Sequence, residues 1–324
     1  MSILVTGGAG FIGSHLIDRL VEQEGTHVVC LDSFDDYYSP EVKRANIESA
    51  LASGRMDLVE ADIRDARACE SVFDAHDIDR VVHLAARAGV RPSIEDPAAY
   101  VEVNCGGTVN VLEAVRRAGT VRTFVFGSSS SVYGINDKVP FSESDPVTRP
   151  ISPYAATKRA GELICHVYHQ LYGIPTICLR FFTVYGPRQR PDLAIHKFTR
   201  LIAEGRPIPV YGDGTSRRDY TYCGDIVDGI TAAMALEPES ISFEIINLGN
   251  SEPVALSELI GLMEGALGRK ARVERLPDQP GDVPVTYADI SKAHRLLGYE
   301  PRFPIAEGIA RFVEWFERTH GRDG

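Results

Sequence analysis

No hydrophobic run in this 324-residue chain approaches the roughly eighteen consecutive apolar residues of a membrane-spanning helix. The start lacks the basic-then-apolar pattern of a secretory leader. Met1-Ser2-Ile3-Leu4-Val5 runs directly into a strand-like segment, so no signal peptide is expected. The six cysteines, Cys30, Cys69, Cys105, Cys165, Cys178 and Cys223, form no CxxC pair and share no regular spacing. A disulfide framework and a zinc or other metal site are thereby excluded, and reduced, buried thiols in a cytoplasmic protein are expected. Positive charge is not in excess either. The 34 Lys and Arg against 45 Asp and Glu leave a net charge of −11, which argues against general affinity for nucleic acid or an anionic membrane. Phosphate recognition must then come from a few local arginines. Tandem repeats, low-complexity runs and flexible linkers are also missing, and 44 % hydrophobic with 24 % charged residues is ordinary globular composition. The composition excludes a great deal and names no chemistry.

What is present first is a rhythm. Short apolar runs at Ile3–Thr6, His27–Leu31, Met56–Glu60, Arg80–Leu84, Thr123–Ser128 and Thr176–Arg180 read as strands. Amphipathic stretches between them, including Ile12–Glu24, Ala66–Ala75, Ala98–Ala118 and Pro153–Tyr172, read as helices. Val81-Val82-His83-Leu84 is apolar enough for a strand covered on both faces. The pattern predicts an α/β fold: a Rossmann-type doubly wound parallel sheet over residues 1–185. From about residue 186 proline and glycine become frequent. A smaller α/β region over residues 186–324 is expected to hold substrate and to return some elements to the first domain.

Val5-Thr6-Gly7-Gly8-Ala9-Gly10-Phe11-Ile12-Gly13 satisfies G-x-G-x-x-G from Gly8 and G-x-x-G-x-x-G from Gly7. Such glycines allow a tight turn, a close backbone approach to a pyrophosphate, and close helix–strand packing above a helix N-terminus that favours anions. The pattern alone is weak, but here it follows a strand, opens a helix and precedes an acidic residue. Asp32 stands 19 residues after Gly13. Its carboxylate can accept from both adenosine ribose hydroxyls and would repel a 2′-phosphate, which predicts NAD rather than NADP. Tyr154-Ala155-Ala156-Thr157-Lys158 sets a phenol and an ammonium one helical turn apart. A nearby lysine cation, helped by the positive ring of a bound nicotinamide, favours the phenolate and is expected to draw the tyrosine toward neutrality. Gly127-Ser128-Ser129-Ser130-Ser131 follows a strand and supplies hydroxyls at the sheet's carboxyl end.

In this order and combination the motifs resemble the extended short-chain dehydrogenase/reductases, and among them the nucleotide-sugar 4-epimerases, over nearly the whole chain. The resemblance implies that C4 of the sugar is oxidised and then reduced from its other face by a cofactor that stays bound. It implies Ser129 as catalytic hydroxyl, Tyr154 as acid and base, and Lys158 as its electrostatic partner. Cofactor contacts are implied for Gly7, Gly10, Phe11, Ile12 and Gly13, for Asp32 and Ser33, and for Asp62 and Ile63 at the adenine. Leu84, Ala85, Ala86 and Arg87 match the loop over the pyrophosphate, Asn104 the asparagine of V-N-x-x-G-T, and Phe181 completes the set, with Tyr154 and Lys158 also on the cofactor.

Dehydratases of this family carry Asp-Glu after the catalytic hydroxyl, and uronate decarboxylases a Glu where Ser131 stands. Ser130 and Ser131 here favour epimerisation. Asp32–Tyr38, Ala88-Gly89-Val90-Arg91, the Phe181–Pro187 segment leading into Arg190, and Gln279–Val283 resemble UDP-glucuronate 4-epimerases. The expected substrate contacts are Arg91, Ser129, Ser130, Ser131, Thr183, Arg190, Val210, Tyr211, Arg218 and Asp282, with Arg188 and Arg217 also suited to a diphosphate. Cys223-Gly224-Asp225 departs from the family's Val-Asp-Asp. The resemblance also implies a homodimer through a four-helix bundle of Ala98–Ala118 and Pro153–Tyr172. The competing readings are a UDP-glucose/UDP-galactose 4-epimerase, a UDP-glucuronate decarboxylase, a dehydrogenase releasing NADH, and a non-catalytic NAD-sensing module.

Overall fold

The computed structural model describes residues 2–136, 138–237, 243–277 and 283–321. The expected strands form as β1 (Ser2–Thr6), β2 (His27–Asp32), β3 (Met56–Glu60), β4 (Ile78–His83), β5 (Thr123–Ser129) and β6 (Thr176–Phe181). After them come β7 (Thr183–Tyr185), β8 (Pro207–Tyr211), β9 (Arg217–Tyr222), β10 (Phe243–Leu248), β11 (Pro253–Ala255) and β12 (Arg272–Leu276). The main sheet runs β10-β6-β5-β4-β1-β2-β3, with every pair parallel. This is the Rossmann-type α/β fold. Helices cover both faces, so Val81 and Val82 of the central β4 have no exposed surface. Strand order reverses between β1 and β4, and a crevice opens at the carboxyl ends of the strands on either side of such a reversal.

Residues 186–324 return β10 to this sheet, beside β6. The rest of that region joins β7 in a three-stranded sheet, β11-β9-β7, and builds a two-stranded one, β12-β8. Because β7 follows β6 after one residue, Thr183 lies just past the carboxyl edge of the main sheet. Within β9 the buried Asp219 carboxylate accepts the N–H groups of Asn250 (2.7 Å), Ser251 (3.0 Å) and Ala288 (3.0 Å), fastening three segments together. In the divergent Cys223-Gly224-Asp225, the remaining aspartate accepts the N–H groups of Arg302 (2.9 Å) and Phe303 (3.3 Å) and anchors the segment leading into the last helix.

The expected helix Ala98–Ala118 is continuous but not uniform. Pro97–Val101 and Thr108–Ala118 are α-helical, and Glu102–Gly107 between them is a wide π-helical turn. Such turns insert a residue and re-aim side chains. Here the turn carries Asn104. The helix Pro153–Tyr172 begins as expected, with Ser152 accepting the N–H of Ala155 at 3.1 Å and proline in the first turn.

One buried ion pair locks this helix to the sheet. Glu162 accepts both arms of the Arg180 guanidinium (2.8 and 2.9 Å), and the Ser128 hydroxyl at 2.7 Å. Their side chains are 0 % and 1 % exposed. Removing one partner of such a pair strands a buried charge and costs about 3–5 kcal/mol, whereas replacing both with apolar groups costs far less. Arg180→Met should therefore lower the unfolding free energy read from urea titration by that order, and Arg180→Met combined with Glu162→Leu should recover most of the loss.

Candidate active site

The sheet's crevice holds a cavity of about 520 Å³, within the usual range for small-molecule sites. Its floor is the glycine loop. Gly7 has a φ of 69°, and a Cβ on it would lie 2.7 Å from the Ala85 nitrogen. A Cβ on Gly13 would collide with the Gly7 carbonyl. The helix Phe11–Val21 can thus start against the sheet's edge. No side chain caps its first turn and no acidic residue lies in it, so it offers its N–H groups and dipole to an anion.

At the end of β2 the Asp32 carboxylate accepts the N–H of Ala9 at 3.0 Å and of Phe34 at 2.9 Å. Burial raises its pKa above the ordinary carboxylate value, while those two hydrogen bonds and the Lys43 charge pull it down. Each oxygen keeps acceptor capacity for a further donor.

At the far end of the cavity stand Ser129, Tyr154 and Lys158. Ser129 closes β5. Its Oγ accepts the N–H of Ser131 at 3.1 Å and donates to the Ser131 hydroxyl at 3.1 Å. The protein's own groups do not by themselves give Tyr154 the lowered value expected with nicotinamide bound. Burial pushes its phenol above the ordinary value, and the opposing effects are a hydrogen bond with Ser129 and the charge of Arg190. Lys158 gives its ammonium to the Gly127 carbonyl at 2.7 Å. Burial draws it down from 10.5 to about 8. The lysine is thus oriented by the strand that ends in Ser129, and in this structure it does not pull the phenol down.

Most expected cofactor residues meet in this one cavity. Gly7, Gly10, Phe11, Ile12 and Gly13 line it from the loop, and Asp32, Ser33, Asp62 and Ile63 from one side. Leu84, Ala85, Ala86, Arg87 and Phe181 line it from the other. Asn104 stands behind the wall. Its amide clamps the Arg87 backbone, accepting the N–H at 2.8 Å and donating to the carbonyl at 2.9 Å, and it also donates to Thr157 at 3.0 Å. The π-helical turn aims it there, which the sequence alone does not disclose.

Of the expected substrate residues, Ser129, Ser131, Thr183 and Arg190 line the cavity. Ser130, Arg91, Val210, Tyr211 and Arg218 do not line it. Arg91 instead lies over the Tyr211 ring, 4.6 Å from its centre. Arg218 donates to the Arg217 carbonyl at 3.0 Å, Arg217 donates to the Pro253 carbonyl at 2.6 Å, and Val210 is buried in β8. Arg188 pairs with Asp18 at 2.7 Å. Asp282 and Gln279 lie outside the described residues. Sequence reasoning assigned no role to Asp35, Tyr37, Tyr38, Lys43 or Gln189, all of which line the cavity. The mixed acidic and aromatic run Asp35-Asp36-Tyr37-Tyr38 was the available signal. Among the described residues no group of three or more histidine, cysteine or acidic side chains could hold a metal ion, and no helix is long and apolar enough to cross a membrane.

The lowered Lys158 makes stability depend on pH. An unfolded lysine keeps its proton to about 10.5, whereas the folded one releases it near 8. Between those values the unfolded state binds more protons, so stability rises with pH. Below about 8 the buried charge costs on the order of 3 kcal/mol. Urea unfolding without added nucleotide should show wild type gaining on Lys158→Met between pH 7 and pH 10. Parallel curves would refute the assignment.

Comparison with known proteins agrees with this geometry. The family model described as GDP-mannose 4,6 dehydratase matches residues 4–312. UDP-glucuronate 4-epimerase 1 of Arabidopsis thaliana is 43 % identical over 99 % of this chain and 78 % of its own length. The UDP-glucuronate 4-epimerase of Thermodesulfobacterium geofontis is 42 % identical over 96 % of this chain and 95 % of its own. The crystal structure of UDP-glucuronic acid 4-epimerase from Bacillus cereus, in complex with UDP-glucuronic acid and NAD, superposes with a TM-score of 0.93 at 39 % identity. It covers 98 % of this chain and 100 % of that one. A match over almost the full chain, in sequence and in fold, places this protein within the GDP-mannose 4,6 dehydratase family of extended short-chain dehydrogenases/reductases.

Proposed function

We propose that the chain is an NAD-dependent epimerase that inverts C4 of UDP-glucuronate to give UDP-galacturonate. The observation that carries this reading is one cavity joining the glycine loop and Asp32 to Ser129, Tyr154 and Lys158, with hydroxyls and no carboxylate at 129–131. The likeness to UDP-glucuronate 4-epimerases, one of them solved with UDP-glucuronic acid and NAD, supports the substrate and cofactor.

The residues present fit NAD. The bare helix start at Phe11 suits the pyrophosphate, and Asp32 suits ribose hydroxyls while repelling a 2′-phosphate. Bound there, NAD supplies the hydride acceptor for C4 and, once reduced, the donor. With the positive charge of the oxidised nicotinamide and the Lys158 ammonium both beside it, Tyr154 would be held as the phenolate, would take the proton from the O4 hydroxyl as C4 becomes a ketone, and would return it once the ring has presented its other face. Ser129 holds the same oxygen through both half-reactions. Lys158, fixed by the Gly127 carbonyl, keeps a cation beside the site at neutral pH. Residues 1–185 supply the cofactor contacts and Arg91, and residues 186–324 most of the other nucleotide-sugar contacts, including Arg190 and, farther out, Tyr211 and Arg218.

The 4-keto form of a glucuronate is a β-keto acid, which loses carbon dioxide when its carboxylate stands perpendicular to the carbonyl. Ser131 and Thr183 line the cavity and can hold the carboxylate out of that alignment by hydrogen bonds, without a second buried charge. Elimination lacks the acid and base that family dehydratases carry at 130 and 131. Intact Tyr154 and Lys158 distinguish the chain from a binding module.

The protein acts as a homodimer in the cytoplasm. Leu163, Val167 and Leu171, at i, i+4 and i+8 of the helix Pro153–Tyr172, are 50 %, 48 % and 66 % exposed, and Val101 of the neighbouring helix is 53 % exposed. An apolar stripe of this kind on two adjacent helices fits a four-helix bundle with a second copy. All six cysteines are free, which suits a reducing compartment.

NMR of separate incubations with UDP-glucuronate and UDP-glucose should show UDP-galacturonate from the first. Turnover of UDP-glucose alone, or a pentose as main product, would overturn the assignment. Tyr154→Phe should lower kcat by about 10²–10⁴-fold. Thr183→Ala should raise the share of decarboxylated UDP-pentose. Val167→Glu should yield a monomer by light scattering.

A further inference from the structure

Three loops rim the cavity and are joined to one another by polar side chains. The first, residues 33–39 after β2, carries Asp35 and Tyr37; the second, after β4, carries Arg87 and Ala88; the third, after β7, carries Arg190 and Asp192. Asp35 accepts the Tyr37 N–H at 2.9 Å on one oxygen and the Arg87 guanidinium at 3.3 Å on the other. The Tyr37 phenol donates to Asp192 at 3.4 Å, and the Arg190 guanidinium lies 5.1 Å from the centre of the Tyr37 ring. Arg190 holds Asp192 with both arms of its fork, at 2.9 and 2.7 Å, and reaches the Ala88 carbonyl at 3.2 Å. Asp35, Tyr37, Arg87, Ala88 and Arg190 all face the cavity.

The second and third loops are braced from behind. Asn104 grips both backbone groups of Arg87. Gln189 joins the Val184 carbonyl (3.1 Å) to the His196 N–H (3.2 Å). The first loop starts with a left-handed Phe34, at φ 48°, held by the Asp32 carboxylate and lying under the Arg44 guanidinium, and Lys43 of the following helix donates to its Asp35 carbonyl. Such a turn persists only where its surroundings over-determine it. Its links to the other loops therefore run across the cavity, at Asp35 and Tyr37.

We propose that Asp35, Tyr37 and Asp192 form a latch across the cofactor cleft and set the rate at which NAD leaves. The inference rests on the NAD reading above. A dinucleotide reaching from Asp32 to Tyr154 runs between the first loop and the second, so both crossing links must open before it departs. The latch is a positioning device: it keeps the molecule that took the hydride in place until the hydride is returned. Each half-exposed link of this kind is worth about a two- to five-fold change in rate.

The test is a chase of isotopically labelled NAD from the purified holoprotein by excess unlabelled NAD, compared with the melting temperature of each NAD-stripped form. Asp35→Asn and Tyr37→Phe should each speed release about two- to five-fold, and the double variant about ten-fold. Asp35→Glu should restore a rate near wild type, and the stripped proteins should melt together. Unchanged release from the double variant would overturn the latch, as would faster release that follows only a lowered melting temperature. A wild-type protein that neither carries nor binds NAD would overturn the cofactor reading first and the latch with it.

Discussion

Glu162 accepts hydrogen bonds from three residues with no exposed side-chain surface of its own. Ser128 of β5, Arg180 of β6 and Arg159 of its own helix all converge on it. A buried carboxylate is tolerable only when its lone pairs are met in this way. The geometry therefore fixes more than a contact. Tyr154, Lys158 and Glu162 stand at i, i+4 and i+8 of one helix, on one face. A slide of one residue would rotate that face by about 100°. It would break the Arg180 fork, move Lys158 off the Gly127 carbonyl and carry Tyr154 away from Ser129 together. The pairing of Ser129 with Tyr154 is thus fixed two turns away, by an ion pair that touches neither.

A second constraint is the handling of charge. The chain carries a net charge of −11 and yet is built to receive a diphosphate. Its cavity arginines are not left to the bulk field. Arg190 is held by Asp192, and Arg87 by Asp35 and Asp96. Each pairing costs the guanidinium part of its net positive charge but removes its conformational freedom, so the donors are aimed before a ligand arrives. What remains for the pyrophosphate is mainly backbone, namely the uncapped first turn at Phe11 and the turn at Gly7.

The fold was largely legible because the features that determine it are local. Alternating apolar runs, the glycine pattern, and the 19-residue spacing to Asp32 each express a short-range requirement of backbone or dipole, and β1 to β6 form within two residues of the expected bounds. The same holds for Tyr154 and Lys158, whose spacing is one helical turn. What was not legible depends on tertiary placement. The π-helical turn that aims Asn104 has no compositional signature beyond Gly106-Gly107. The lysine's influence on Tyr154 could not be read from the i, i+4 spacing, because the Gly127 carbonyl that claims Lys158 comes from a strand 31 residues away. Likewise Arg91 follows Ala88, Gly89 and Val90, which line the cavity, but its own side chain turns to the Tyr211 ring.

The residues at the end of β5 then separate this chain from others of its fold. A Rossmann-type sheet with a tyrosine and lysine on the following helix does not fix whether a keto sugar is epimerised, dehydrated or decarboxylated. That choice falls to two side chains in a tight turn, where Ser129 already commits its oxygen to the N–H of Ser131. A carboxylate at 131 would add a general acid or base within reach of the sugar and place a negative charge against a uronate. Both effects act against quiet inversion of an acidic sugar, the first by opening an elimination route and the second by weakening binding. A hydroxyl does the reverse on both counts: it is able to donate to a carboxylate, and at neutral pH it has no proton to exchange with the sugar. In the proposed reaction, the neutrality of Ser130 and Ser131 therefore leaves Tyr154 as the only group that moves a proton at C4.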